Sequence, residues 1–279
     1  MHEKCDSPLS ISYYLRNPHG GAVQADGITS DNTVGYSSAT IKAEQFYMIG
    51  VQFADVAKDG TQADFNTFFQ CNCEPGYYGD DGAQGMHGAP MIQVLQANGK
   101  NYSYYYYIND ADDGTERYDL TGWSDDYGNL VGNDALMPLS KGFWFKSMKD
   151  GSVTCSGQIC AIDEFVRTVP ANQFEIVANP FPIGLNLNAP TTSGFTPGYY
   201  GDDGAQGMHG APMIQVLQEN GKNYSYYYYI DDADDGTERY DLTGWCDDYG
   251  NLVEDTQVGV GAAFWIKSET AGKFVFSLK

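Results

Sequence analysis

The chain has 279 residues with 37 Asp and Glu against 15 Lys and Arg, a formal charge of -22. A field this negative repels nucleic acid and anionic lipid, so the partners it favours are cations, neutral sugars or surfaces of opposite charge. No apolar run reaches the roughly 18 residues of a membrane span, which argues against membrane insertion, and the 14% aromatic content argues against disorder.

Residues 1–31 come first and have no counterpart further along. They carry no basic-then-apolar leader pattern, and they read as an N-terminal arm able to donate a strand to a neighbouring molecule. From residue 32 the chain repeats itself. Pro75 to Val131 returns as Pro197 to Val253 at an offset of 122, and only three of 57 positions differ: Ala97/Glu219, Asn109/Asp231 and Ser124/Cys246. Similarity continues more weakly outward, from Ala43–Phe53 to Ala171–Phe181 and from Phe143–Ser147 to Phe264–Ser268. The expected organisation is two homologous domains, at 32–157 and 158–279. A nearly unchanged centre between drifted flanks fits a function needed twice, and it equally fits a recent duplication or exchange between copies.

Strand signals dominate: short runs of β-branched and aromatic residues bounded by Gly, Asn, Asp and Pro. In the first repeat they fall at Ser37–Lys42, Phe46–Phe53, Met91–Gln96, Ser103–Asn109, Gly142–Ser147 and Ser152–Ser156. The second set is Phe165–Val169, Phe174–Asn179, Met213–Gln218, Ser225–Asp231, Ala263–Ser268 and Lys273–Leu278. Asn98-Gly99 and Asn220-Gly221 are hairpin turns, and only Ala63–Phe69 reads as a helical turn. The fold class is all-β: two tandem small antiparallel β-barrels or β-sandwiches behind the arm.

The hairpin strands set Tyr on both faces, because side chains alternate along a strand. Tyr104, Tyr105, Tyr106 and Tyr107, with Tyr226, Tyr227, Tyr228 and Tyr229, are therefore candidate contacts for a partner or glycan. Trp123 and Trp245 join them as rings that would stack on sugar. The acid is concentrated in the repeated segments. They carry nine acids and two bases in one copy, eleven and two in the other, so -7 and -9 give -16 of the -22. Asp110, Asp112, Asp113, Glu116, Asp125 and Asp126, with Asp232, Asp234, Asp235, Glu238, Asp247 and Asp248, are candidate calcium ligands, since calcium takes six to eight oxygens. Their spacing is not that of an EF-hand loop. Paired carboxylates also serve glycosidases, yet nothing singles out one pair, and no catalytic residue is expected.

His87 and His209 lie in Gly-rich loops that suit surface residues better than zinc ligands. Those loops lack phosphate-binding spacing. Cys71 and Cys73 stand two apart with no second pair at zinc-ribbon spacing, and Cys155 and Cys160 could close a short loop. Asn101-Tyr102-Ser103 and Asn223-Tyr224-Ser225 fit the N-glycosylation pattern.

The runs MIQVLQ, the Tyr-rich strand, DADDGT, GW-x-DDYGNL and FW-x-KS resemble a group of uncharacterised secreted bacterial tandem-repeat proteins. QFEIVANPFP is similar to the NPYP stretch of other surface-exposed bacterial β-modules. The resemblance spans about 32–279, leaves out the arm, and implies secretion and a β-module; it carries over no site residues. The reading is a non-enzymatic extracellular protein that self-assembles into a filament or surface layer, with calcium bridging its acidic surface. The alternative is a bivalent protein that binds polysaccharide or adheres to a surface.

Overall fold

The computed structural model describes residues 34–54, 62–78, 88–96, 98–110, 116–131, 136–159, 162–200, 210–218, 221–232 and 238–277. The arm at 1–31 lies outside them. The chain is all-β, with strands over 58% of the described residues.

The first repeat contains β1 (Val34–Ile41), β2 (Phe46–Gly50), β3 (Phe53–Ala54), β4 (Gln62–Asp64), the four-residue helix α1 (Phe65–Phe68), β5 (Phe69–Cys71), β6 (Gly76–Tyr78), β7 (Met91–Leu95), β8 (Asn101–Asp110), β9 (Glu116–Ser124), β10 (Leu136–Pro138), β11 (Gly142–Lys146) and β12 (Gly151–Ile159). The second contains β13 (Glu164–Val169), β14 (Phe174–Ala178), β15 (Thr191–Ser193), β16 (Gly198–Tyr200), β17 (Met213–Leu217), β18 (Asn223–Asp232), β19 (Glu238–Cys246), β20 (Ala263–Lys267) and β21 (Gly272–Ser277).

Each described sheet draws its strands from one repeat. In the first, β12 lies between β1 and the short β3 and β5, while a six-stranded sheet runs β2-β11-β7-β8-β6 with β9 on β8, and β4 pairs with β10. In the second, β13-β21-β15 and β14-β20-β17-β18-β16 with β19 follow the same plan. Pairing is antiparallel except at β6 and β16, which run parallel to β8 and β18.

Hydrophobic alternation fixes the register. Ile92 and Val94 turn inward from β7, with Tyr104 and Tyr102 opposite them on β8. Tyr104 and Tyr106 therefore pack on the core. Tyr105 and Tyr107 stack on the other face with centroids 5.8 Å apart. In the core Phe69 lies 5.7 Å from Trp123 and 5.3 Å from Phe143, and Phe274 lies 6.0 Å from Trp245. Buried residues of both repeats form one contiguous cluster.

A second cluster joins the repeats: Met48, Leu95, Ile176, Ala178 and Ala263, with Trp144, Leu217 and Trp265 against it. Matching backbone groups bond across it. Gly50 N–H donates to Gly261 O at 2.8 Å, and Ala178 N–H donates to Ser140 O at 3.0 Å. Since Gly50 corresponds to Ala178 and Ser140 to Gly261, the two bonds are one contact made twice. The junction therefore has local two-fold pseudosymmetry. Ser140 and Gly261 both take a left-handed φ, 64° and 77°. Gly does so without a Cβ clash, while Ser140 is held by donating its hydroxyl to Ala178 O.

Candidate functional site

Where the conserved Tyr strand meets the diverged flank, the first repeat has a groove of about 530 Å³. Tyr106, Thr121, Gly122, Trp123, Leu130 and Val131 come from the segment shared by both repeats; Asn66, Phe69, Gln70, Cys71 and Asn72 come from α1, β5 and the turn after it. β5 positions the second group by pairing with β12, Cys71 opposite Val153. Asn66 Nδ2 donates to Val131 O at 2.9 Å and pins the loop that walls the groove. Asn188 makes the same bond to Val253 O in the second repeat.

The described lining is polar and carries no charged side chain. Three side-chain amides (Asn66, Gln70 and Asn72), the Thr121 hydroxyl and the Tyr106 phenol surround an aliphatic and aromatic wall, and among the described lining residues there is no carboxylate or cation. In a chain of charge -22 the described lining stands out for its lack of charged side chains. Thr121 Oγ1 is buried and without a hydrogen-bond partner among the described residues, as is its counterpart Thr243 Oγ1. An unpaired buried hydroxyl carries a cost that a polar ligand would relieve. Burial raises the Tyr106 phenol above its ordinary pKa, and the Cys71 and Cys73 sulfurs add to that, so it stays protonated and able to donate.

The expected aromatic contacts divide. Tyr104, Tyr105 and Tyr106 are half-buried, as are Tyr226, Tyr227 and Tyr228. Burial raises the Tyr104 phenol, with Tyr102 and Asp125 adding to it, and raises that of Tyr228. Tyr107, Tyr229, Trp123 and Trp245 are buried at 2% exposure or less. This corrects the expectation that both indoles offer open stacking faces: each is wedged among core rings, Trp123 5.3 Å from Tyr106 and Trp245 5.3 Å from Tyr228. The most exposed described rings are Tyr127 at 80% and Tyr249 at 78%, with Tyr102 and Tyr224 about half exposed, and Leu130 and Leu252 are exposed nearby in sequence. Sequence reading passed over Tyr127 and Tyr249. The signal was the run DDYGN, a tight turn whose second corner cannot reach a core.

The acidic candidates also divide. Asp125 Oδ1 accepts from the backbone N–H groups of Tyr127 and Asn129, each at 2.9 Å, and Asn129 Nδ2 reaches both carboxylate oxygens; Asp247 repeats the pattern with Tyr249 and Asn251. These two carboxylates close turns. Asp126 and Asp248 are exposed. The backbone register sets Asp110 opposite Glu116 and Asp232 opposite Glu238 at the mouths of two loops. Asp112, Asp113, Asp234 and Asp235 lie outside the described residues, as do His87, His209 and Cys160. Cys71, Cys73 and Cys155 are free thiols, and Cys246 is buried.

No family model, curated protein or solved structure matches the chain.

Proposed function

We propose that the chain is an extracellular, non-enzymatic protein that binds a neutral saccharide in the groove of its first repeat, the two repeats serving as tandem β-sandwich modules behind the arm. One observation carries this reading: among the described residues, amides, hydroxyls and an aromatic wall with no charged side chain line a groove in a strongly acidic chain. Sugars present hydroxyls that donate and accept, and C–H faces that pack on apolar side chains; a charged lining would impose a desolvation cost with no ionic partner. The experiment is a glycan array followed by calorimetry on any binder, with Asn72→Ala and Gln70→Ala as groove variants. Saccharide binding that both variants weaken supports the proposal. Absence of any binder, or binding that neither substitution changes, overturns it.

A second reading, self-assembly into a filament or layer, is supported by the duplicated Tyr127/Leu130 and Tyr249/Leu252 patches. A chain with two equivalent self-complementary patches extends without closing. Sedimentation at micromolar concentration distinguishes the readings. An assembling chain stops at dimers when Tyr127→Ser removes one patch and is monomeric with Tyr249→Ser added. Calcium at the paired acidic loops fits either reading and would raise the melting temperature by mass action at millimolar concentration.

A further inference from the structure

We infer that Cys71 and Cys73 are a redox-active dithiol, closed by a peroxide into an intramolecular disulfide on the wall of the groove. Cys71 ends β5 opposite Val153, and Asn72 N–H donates to Ser152 O at 2.8 Å. The chain then brings the Cys73 sulfur to 3.8 Å from Ser152 O, and Cys71 and Cys73 are both buried on the same side of the exposed Asn72 between them. Residues two apart span at most about 7 Å between Cα atoms, the long end of what a disulfide bridges. Gly151 leaves room for the pair, because a Cβ there would lie 2.7 Å from Cys73 Sγ. Cys71 lines the groove, which gives a small oxidant a path to the pair.

The surroundings assign the roles. The Cys71 thiol, helped by Ser147 and the Ser152 backbone, lowers the Cys73 pKa to about 7 against the opposing effect of burial. The neighbouring Cys73 sulfur and burial push Cys71 up. Cys73 is thus the nucleophile, since the thiolate is the reactive form, and Cys71 resolves. The Cys73 thiolate attacks one peroxide oxygen; the O–O bond breaks, leaving hydroxide and a Cys73 sulfenic acid. The Cys71 sulfur attacks Cys73 Sγ, the S–S bond forms, and the departing hydroxide takes the Cys71 proton as water. Two thiols are oxidised and one hydrogen peroxide is reduced to two waters. The other described thiols lack this arrangement: Cys155 is pushed up by complete burial, and Cys246 is buried with its sulfur on Gly244 O. In the second repeat Phe195 stands where the first has Cys73.

The test uses the full chain with Cys5→Ser and Cys160→Ser, treated with hydrogen peroxide and mapped by mass spectrometry. The expected product has lost two hydrogens within the peptide holding Cys71 and Cys73, at a rate that rises about tenfold from pH 6 to pH 8. Cys71→Ser should yield a sulfenic acid on Cys73 that dimedone traps. Near-ultraviolet circular dichroism checks that this variant folds; if it does not, mapping and the pH profile of the parent decide. No loss of hydrogens in the folded chain, a disulfide between any other pair, or oxidation of Cys155 or Cys246 at the same rate overturns the inference.

Discussion

Trp144 and Trp265 meet edge to face with ring centroids 6.0 Å apart, and they hold the same position in the two repeats. A residue touches its own counterpart only where a two-fold relationship brings the same face of each copy together. The neighbours obey the same relationship. Phe46 packs on Trp144 and Phe174 on Trp265, while Lys146 sits over Phe46 and Lys267 over Phe174. The symmetry breaks where space is shortest: the first repeat has Gly50 and Gly142 where the second has Ala178 and Ala263. A Cβ added at Gly50 would lie 2.4 Å from the Ala178 Cβ. Gly50→Ala is therefore expected to cost about 1–3 kcal/mol by overpacking. Adding Ala178→Gly should recover most of that loss, since the pair then holds one methyl as before. Chemical denaturation of the two singles and the double measures this; additive costs would mean the residues do not share that space.

A buried ion triad crosses the same junction. Glu175 Oε2 accepts from Lys141 Nζ at 3.2 Å and Arg167 Nη2 at 3.0 Å, with all three side chains mostly buried. Removing the one carboxylate leaves two cations without their anion, so Glu175→Gln should cost about 3–5 kcal/mol. Burial lowers the Lys141 pKa from its ordinary 10.5, against the pull of Glu175. A depressed cation costs stability below its folded pKa, and that cost is relieved as pH rises from there to 10.5. The stability of the parent relative to Lys141→Met should thus increase over that interval. A flat difference in melts taken from pH 8 to pH 10.5 would place the ammonium in water.

The all-β class and many of its strands were legible because the strands announce themselves by burial. Met91–Leu95 and Phe174–Ala178 lie within a residue of where β-branched and aromatic runs set them, and Gly99 at φ 75° turns the Asn98-Gly99 hairpin as expected. Glu116–Ser124 and Glu238–Cys246 escaped notice, because ERYDLTGW mixes charge and Gly into an outer strand whose pairing comes from β8 and β18. The groove was illegible for a different reason. It joins Asn66 and Cys71 to Thr121 and Val131, residues distant in sequence, and nothing local in either segment signals the other. Trp123 misled because composition shows that an indole exists, whereas packing decides which way it points.

The Asp125 turn makes a prediction about acid. Slight burial raises its carboxyl, but hydrogen bonds from Asn129 and Tyr127 outweigh that and the net pKa is below the ordinary 3.8. A depressed carboxyl contributes stability above 3.8 that is lost as pH falls through the folded value. Asp125→Ala should therefore speed amide hydrogen exchange at Tyr127 and Asn129 at neutral pH, and the parent should show the same loosening only in stronger acid. The outer turn bears little core, so global stability should fall by about 0.5–2 kcal/mol, as for a lost cap. Unchanged exchange at both amides would mean water replaces the carboxylate at no cost.

Exchanging Phe195 and Cys73 tests how the repeats diverged. Phe195 lies 5.5 Å from Phe274 and 6.3 Å from Trp245, and a Cβ on Gly272 would come within 2.3 Å of its ring. Phe195→Cys removes most of that ring from a closed core and should cost about 3–4 kcal/mol, near the cost of a buried Phe truncation. The reverse change does not restore symmetry. In the first repeat Phe69 already packs 5.7 Å from Trp123, and Cys73 is boxed in by Gly151. Cys73→Phe should therefore cost about 1–3 kcal/mol by overpacking. Both directions lose stability because each flank has grown its own filling around an identical Tyr and Trp wall. Denaturant midpoints check this, and a Phe195→Cys variant within experimental error of the parent would show that the ring is not part of the second core.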